Sequence, residues 1–80
     1  MELVKLVEVI VSNLVSDPES ISVKEFPSEN EIIIQVMVPS DDMGKVIGRQ
    51  GVIASSIRTI VQASSYIKEN KRVNINIDSY

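Results

Sequence analysis

Two glycines three residues apart, Gly48 and Gly51, enclose Arg49 and Gln50 and form the most informative stretch of this 80-residue sequence. Glycine has no Cβ atom, so a backbone that carries two of them can lie close against an extended, negatively charged polymer. Arginine between them adds a mobile cation with several hydrogen-bond donors. The spacing therefore favours contact with a phosphate-bearing strand.

Residues on both sides of the glycine pair extend this candidate site. Lys45 and Arg58 add positive charge, with Arg58 two helical turns beyond the second glycine. Val46, Ile47 and Ile53 are apolar and can support a groove next to the loop. Core packing explains the same apolar residues equally well, so both interpretations stay open at this point.

Catalysis has little support in this composition. The sequence contains no His and no Cys, which removes thiolate nucleophiles, zinc-finger ligation, disulfides and the usual proton shuttle. The paired acids Asp41 and Asp42 are explained as residues that begin a helix, and neither glycine pattern of a nucleotide-binding loop is present. We expect no enzymatic activity, no metal and no cofactor.

Charge is distributed unevenly along the chain. The net charge is −3, yet residues 1–44 hold nine acidic and two basic side chains, whereas residues 45–80 hold six basic and two acidic ones. The basic half contains the glycine pair. This distribution is compatible with an anionic partner despite the acidic total.

Hydrophobic periodicity predicts six elements. They are a helix over residues 3–16, a hairpin of strands over 21–24 and 32–38, a short helix from about 40 to 47, a longer helix over 51–65 and a strand over 73–78. The order α-β-β-α-α-β predicts an α+β fold, with a three-stranded sheet and helices packed on one face. We expect one domain over residues 1–80, without a membrane span or signal segment and therefore in the cytoplasm.

A glycine pair between two helices, in this order of elements, resembles type II KH domains. More narrowly, the segments Val46-Ile47-Gly48-Arg49-Gln50-Gly51 and Ile57-Arg58-Thr59-Ile60-Val61 are similar to those of the small bacterial KhpA proteins. The resemblance implies a GXXG loop that clamps about four nucleotides of single-stranded RNA with low sequence specificity.

The same resemblance implies roles for individual residues and for partners. Gly48 and Gly51 would shape the loop, Arg49 and Gln50 would meet phosphate or sugar, and Val46 and Ile47 would support the groove. The resemblance also implies an RNA chaperone or post-transcriptional regulator. Such a protein would form homodimers and also pair with a KhpB (Jag)-like KH protein.

The predicted helix after the loop carries more apolar residues than one packing stripe requires. This surplus suggests a partner surface, and we expect homodimerisation through Ala54, Ile57, Ile60 and Val61.

An adapter that retains the KH fold for protein contacts, with little RNA affinity, is the alternative function. The sequence pI near 4.8 favours it. So do Gln50 and Val52, which stand where relatives commonly carry basic or polar residues.

Overall fold

The structure is a computed structural model that describes residues 2–80. Its helices are α1 (Leu3–Ser12), α2 (Met43–Ile47) and α3 (Val52–Lys68), and its strands are β1 (Ser22–Pro27), β2 (Glu31–Val38) and β3 (Arg72–Ser79). Short 3-10 turns occupy Pro18–Ser20, Ser40–Asp42 and Arg49–Gly51. The predicted order α-β-β-α-α-β is therefore confirmed.

A three-stranded mixed sheet in the order β1-β2-β3 forms one layer of the fold. β1 and β2 pair antiparallel with Val23 opposite Val36, and β2 and β3 pair parallel with Ile34 opposite Ile75. Because β3 joins the sheet in parallel, the chain must cross over after β2, and α2 and α3 make that crossover. The glycine pair lies within it.

The core lies between the sheet and the three helices. Alternate residues of β2 (Ile32, Ile34, Val36 and Val38) are buried, as expected for a strand with one face covered. They meet Val7 and Val11 of α1, Ile57 and Val61 of α3, and Ile75 of β3. The α+β class with helices on one face is confirmed.

Two helices differ in length from the prediction. α1 ends at Ser12 rather than at residue 16, and Asn13 bonds back to the carbonyl of Val9 through its side-chain amide at 2.6 Å. α3 continues to Lys68 rather than stopping at residue 65. It ends where Asn70 adopts a left-handed φ of 54° and donates its N–H to the Ser65 carbonyl at 2.8 Å.

No helix among residues 2–80 is long and apolar enough to cross a membrane. The sheet face opposite the helices is partly open, with Phe26 52% exposed on β1.

Candidate nucleic-acid interface

The GXXG loop is a tight turn between α2 and α3. Gly48 follows α2 with φ 78° and ψ 173°, and Gly51 precedes α3 with φ 76° and ψ 14°. The N–H of Gly51 donates to the Gly48 carbonyl at 3.2 Å and closes the turn. Gln50 also adopts a left-handed conformation, at φ 56° and ψ 24°, which costs a residue with a Cβ atom about 1–2 kcal/mol.

The two loop glycines are required for different reasons. A Cβ atom on Gly48 would lie 2.6 Å from Cγ1 and 2.9 Å from Cβ of Ile53, so this position is closed sterically as well as conformationally. A Cβ atom on Gly51 would meet nothing within 4 Å, so only its positive φ favours glycine. Ile53 therefore packs directly on the loop backbone and fixes the turn against α3.

Arg49 and Gln50 project from the tip of the loop, and both are exposed. Within residues 2–80, no carboxylate pairs with the Arg49 guanidinium. All five of its N–H donors are thus available to a ligand, and a phosphate can accept two of them at once. Gln50 offers amide hydrogen bonds without charge.

The apolar residues before the loop lie in different environments. Val46 is fully buried in the core below α2, so it supports the loop and does not contact a ligand. Ile47 is half-buried at the end of α2, and Ile53 is half-buried against Gly48. The structure therefore assigns Val46 to the core and leaves Ile47 and Ile53 as the apolar surface beside the loop.

Lys45 is engaged by the protein itself. Its ammonium group lies 3.3 Å from Oδ1 of Asp42 and donates to Oγ of Ser16 at 2.8 Å. Ser16 in turn donates to Asp42 through its hydroxyl at 3.1 Å and through its backbone N–H at 3.4 Å. Lys45 was predicted to contact RNA. Its side chain remains 53% exposed, and its charge is matched by Asp42 in a network that ties the segment after α1 to the start of α2.

The same network explains Asp42, which was expected to lie near the N-terminal end of the short helix. The side chain makes no capping hydrogen bond and is almost fully buried. Burial raises the pKa of its carboxyl group, but hydrogen bonds from Lys45 and Ser16 and the charge of Lys45 outweigh that effect and hold the pKa below its ordinary value. Asp42 is a charged anchor beneath α2.

Arg58 lies on the side of α3 that faces β3, the edge strand of the sheet. Its Nε donates to the carbonyl of Ile75 at 3.4 Å, which accounts for one of five donors. No carboxylate of residues 2–80 pairs with its guanidinium. Arg58, one of the basic residues predicted for the site, is thus exposed and lies beside the edge of β3.

Most of the predicted dimer surface is inside the protein. Ala54, Ile57 and Val61 are buried, because α3 packs against α1, α2 and β3 at once and needs a wide apolar stripe. Those three residues are not available to a partner. Ile60 is 50% exposed and is the one member of the predicted set on the surface.

Sequence reasoning missed a groove between α3 and β3. Tyr66 is 54% exposed and lines this groove together with Arg58 and Arg72. The groove has a volume of about 540 Å³. The spacing of Arg58, Gln62 and Tyr66 at four-residue steps is a signal that was present in the sequence, since such residues share one side of a helix.

Sequence comparisons match nearly the whole chain. A family model described as the KH domain of KhpA/KhpB matches residues 4–77. The RNA-binding protein KhpA of Clostridium perfringens is 51% identical over 73 residues, which cover 91% of this chain and 96% of that protein. The RNA-binding protein KhpA of Clostridium acetobutylicum is 47% identical over the same shares of both chains.

Solved structures share the fold. An Era variant from Aquifex aeolicus, bound to GDP·AlF4⁻, superposes on 98% of this chain with a TM-score of 0.72 at 15% identity. Era in complex with MgGDPNP and nucleotides 1506–1542 of 16S ribosomal RNA superposes on 96% with a TM-score of 0.67 at 18% identity. This chain spans 30% and 29% of those two chains, so the likeness concerns a domain-sized part of each.

Proposed function

The chain belongs to the KhpA/KhpB KH-domain family, and on that premise we propose that it binds single-stranded RNA through the loop Gly48–Arg49–Gln50–Gly51. The family is one of RNA-binding proteins and not of enzymes, so the chain is an RNA-binding protein without catalytic activity. The observation that carries the loop assignment is the tight turn itself. It exposes an unpaired arginine between two glycines at the point where α3 begins.

Close approach of a backbone is the physical basis of the clamp. At Gly51 the missing side chain leaves open space beside the turn, so a sugar-phosphate strand can lie against the main chain there. Arg49 supplies the charge that holds a phosphate, and Gln50 adds hydrogen bonds to phosphate or sugar. A loop of this kind holds about four nucleotides.

Residues next to the loop provide packing, support and additional positive charge. Ile47 and Ile53 form the apolar surface on which the sugars and bases of the clamped nucleotides pack. Val46 and the Lys45–Asp42 ion pair hold α2 in place from below. Arg58 extends the positive surface along α3 toward β3. The expected specificity for sequence is low, since most of these contacts reach the phosphate backbone.

We further propose that the protein acts as a homodimer, or with a KhpB-like KH partner, through the outer side of α3. Ile60 is 50% exposed and Ile67 is 86% exposed, and Ala63 between them is also on the surface. Exposed apolar residues at four- and three-residue steps form one stripe, which a second helix can cover. A dimer would carry two loops and bind longer RNA more tightly than one domain does.

A pair of loops suits an RNA chaperone or post-transcriptional regulator in the cytoplasm, because it can hold two single-stranded segments at once. The alternative is a dimerisation adapter with little RNA affinity. The exposed stripe on α3 favours that function, as does a loop with one cation, Arg49, and the uncharged Gln50.

Fluorescence anisotropy of labelled single-stranded RNA, with the wild type and the Gly51→Asp variant, separates the two functions. Gly51 is the better loop position to change because a Cβ atom there meets open space, whereas Gly48→Asp drives a side chain into Ile53. An acidic group about 4 Å from a phosphate weakens binding by about fivefold in water and several hundredfold at an effective dielectric of about 20.

Asn30→Asp is the matched control with an RNA of five nucleotides, since it introduces the same charge in the exposed β1–β2 turn, at the opposite end of β2 from the loop. Both variants must first show the wild-type circular dichroism spectrum. Weaker binding by Gly51→Asp and wild-type binding by Asn30→Asp support the clamp. Equal RNA affinity of all three proteins would leave the adapter as the function.

A further inference from the structure

We propose that the groove between the second half of α3 and the start of β3 binds the nucleotides of a single-stranded RNA that extend beyond the GXXG clamp. In this site Tyr66 stacks on a base, and Arg58 and Arg72 contact phosphates. The inference rests on the proposed RNA clamp and adds a second subsite to it.

The groove combines the two side-chain types that single-stranded nucleic acids require. Arg58 and Arg72 line it, and no carboxylate of residues 2–80 pairs with either guanidinium. Tyr66 leaves 54% of its surface exposed at the same groove. Aromatic rings stack on any base, and arginines follow the backbone, so together they bind a strand with little regard to sequence.

The floor of the groove is fixed by hydrogen bonds between α3 and β3. The side-chain amide of Gln62 donates to the Lys71 carbonyl at 3.0 Å and accepts the N–H of Val73 at 2.9 Å. Ser65 donates its hydroxyl to the Lys71 carbonyl at 2.7 Å. These hydrogen bonds fix the distance between α3 and β3, so the groove between them stays open.

An RNA strand that leaves the loop along α3 is long enough to reach this groove. Arg58 and Tyr66 are seven and fifteen residues beyond Gly51, which places them about 10 Å and about 22 Å along the helix. At the stacked spacing of about 3.4 Å per nucleotide, four nucleotides span about 14 Å. An RNA strand clamped at the loop thus passes Arg58 within four nucleotides of the loop. Its fifth to seventh nucleotides reach Tyr66.

A protein partner fits this groove less well than RNA does. Two arginines and no acidic residue line it, and the exposed apolar residues Ile60 and Ile67 are not among its lining residues. The partner surface proposed above shares Ala63 with this groove, whereas Arg58, Tyr66 and Arg72 belong to the groove alone.

Anisotropy with oligouridylates of five and nine nucleotides tests the second subsite. The wild type should bind the nine-mer more tightly than the five-mer. Tyr66→Ala should weaken nine-mer binding by about five- to a hundredfold through lost stacking, whereas Tyr66→Phe should retain it. Arg72→Gln should lower the slope of log affinity against log salt by about 0.7 for the nine-mer and leave the five-mer slope unchanged.

The loop variant Gly51→Asp keeps the two proposals apart. If it weakens binding while Tyr66→Ala and Arg72→Gln bind the nine-mer as the wild type does, the clamp stands and the second subsite is refuted. If Tyr66→Ala changes the oligomeric mass and not RNA affinity, the groove is a protein contact and the inference is also refuted. If Gly51→Asp binds both oligonucleotides as the wild type does, the clamp itself fails.

Discussion

Alanine substitutions at the three glycines should destabilise the protein to different and predictable degrees. At Gly51 the left-handed conformation of an alanine lowers the free energy of unfolding by about 1–2 kcal/mol. The reduced entropy of the unfolded chain raises it by about 0.4–1 kcal/mol, so the net loss is at most about 1.6 kcal/mol. At Gly48 the overlap with Ile53, 2.6 Å from the added Cβ, comes in addition. Overpacking typically costs about 1–3 kcal/mol, so the total loss is about 1–4.6 kcal/mol.

Gly44 supplies the matched control, because it lies inside α2 and an added Cβ meets nothing within 4 Å. Gly44→Ala should stabilise the protein by about 0.5–1 kcal/mol. The free energies of unfolding are measured by urea denaturation, followed by circular dichroism at a single low protein concentration so that any dimer contributes equally.

A double-mutant cycle isolates the contact with Ile53. Combining Gly48→Ala with Ile53→Ala removes Cγ1 and Cδ1 of Ile53, which would lie 2.6 and 3.0 Å from the new Cβ, and keeps the Cβ of residue 53 at 2.9 Å. The double variant should therefore be more stable than the sum of the single losses predicts, by part of the overpacking cost of about 1–3 kcal/mol. Equal losses for Gly48→Ala and Gly51→Ala, or strict additivity in the cycle, would refute the steric role assigned to Ile53.

Three further predictions concern the charges and the outer side of α3. Gln50→Lys adds a phosphate contact, so the slope of log RNA affinity against log salt should steepen by about 0.7; an unchanged slope would place Gln50 away from the strand. The pKa of Asp42 is lowered by folding, so its stabilising effect is present above the ordinary pKa of an aspartate and is lost as pH falls through the folded value. Urea denaturation should therefore show Asp42→Asn less stable than the wild type at pH 7, with a difference that shrinks as pH falls below the ordinary aspartate pKa; a difference that does not change with pH would contradict the network. Ile60→Lys should give a monomer in sedimentation equilibrium with an unchanged circular dichroism spectrum, and a dimer of wild-type affinity would remove α3 from the interface.

Local sequence patterns predicted the elements because each one carries its signal within a few residues. The alternation from Ile32 to Val38 marks a strand with one covered face, and the structure buries every second residue of that strand. Gly48 ends one helix, and the apolar spacing after Gly51 begins another. The order of these elements, together with the glycine pair, was enough to predict the fold class.

The site was predicted less completely, because its details depend on residues far apart in the chain. Lys45 looks like a free cation in the sequence, and only the fold brings Ser16, 29 residues away, within 2.8 Å of it. Ile57 and Val61 look like a surplus, and only the packing of α3 against three elements shows why the core needs them. The groove that Tyr66 lines with Arg58 and Arg72 also forms only in the fold, where α3 lies beside β3.

Amide chemical-shift mapping of the wild type with a nine-nucleotide single-stranded RNA tests the central claim most directly, because it needs no variant. The account predicts that the amides of residues 47–53 shift first and furthest, with weaker changes along the Arg58 and Tyr66 side of α3. The open sheet face around Phe26 should remain unchanged. Shifts confined to that sheet face, or no shifts at all, would contradict a clamp at the GXXG loop.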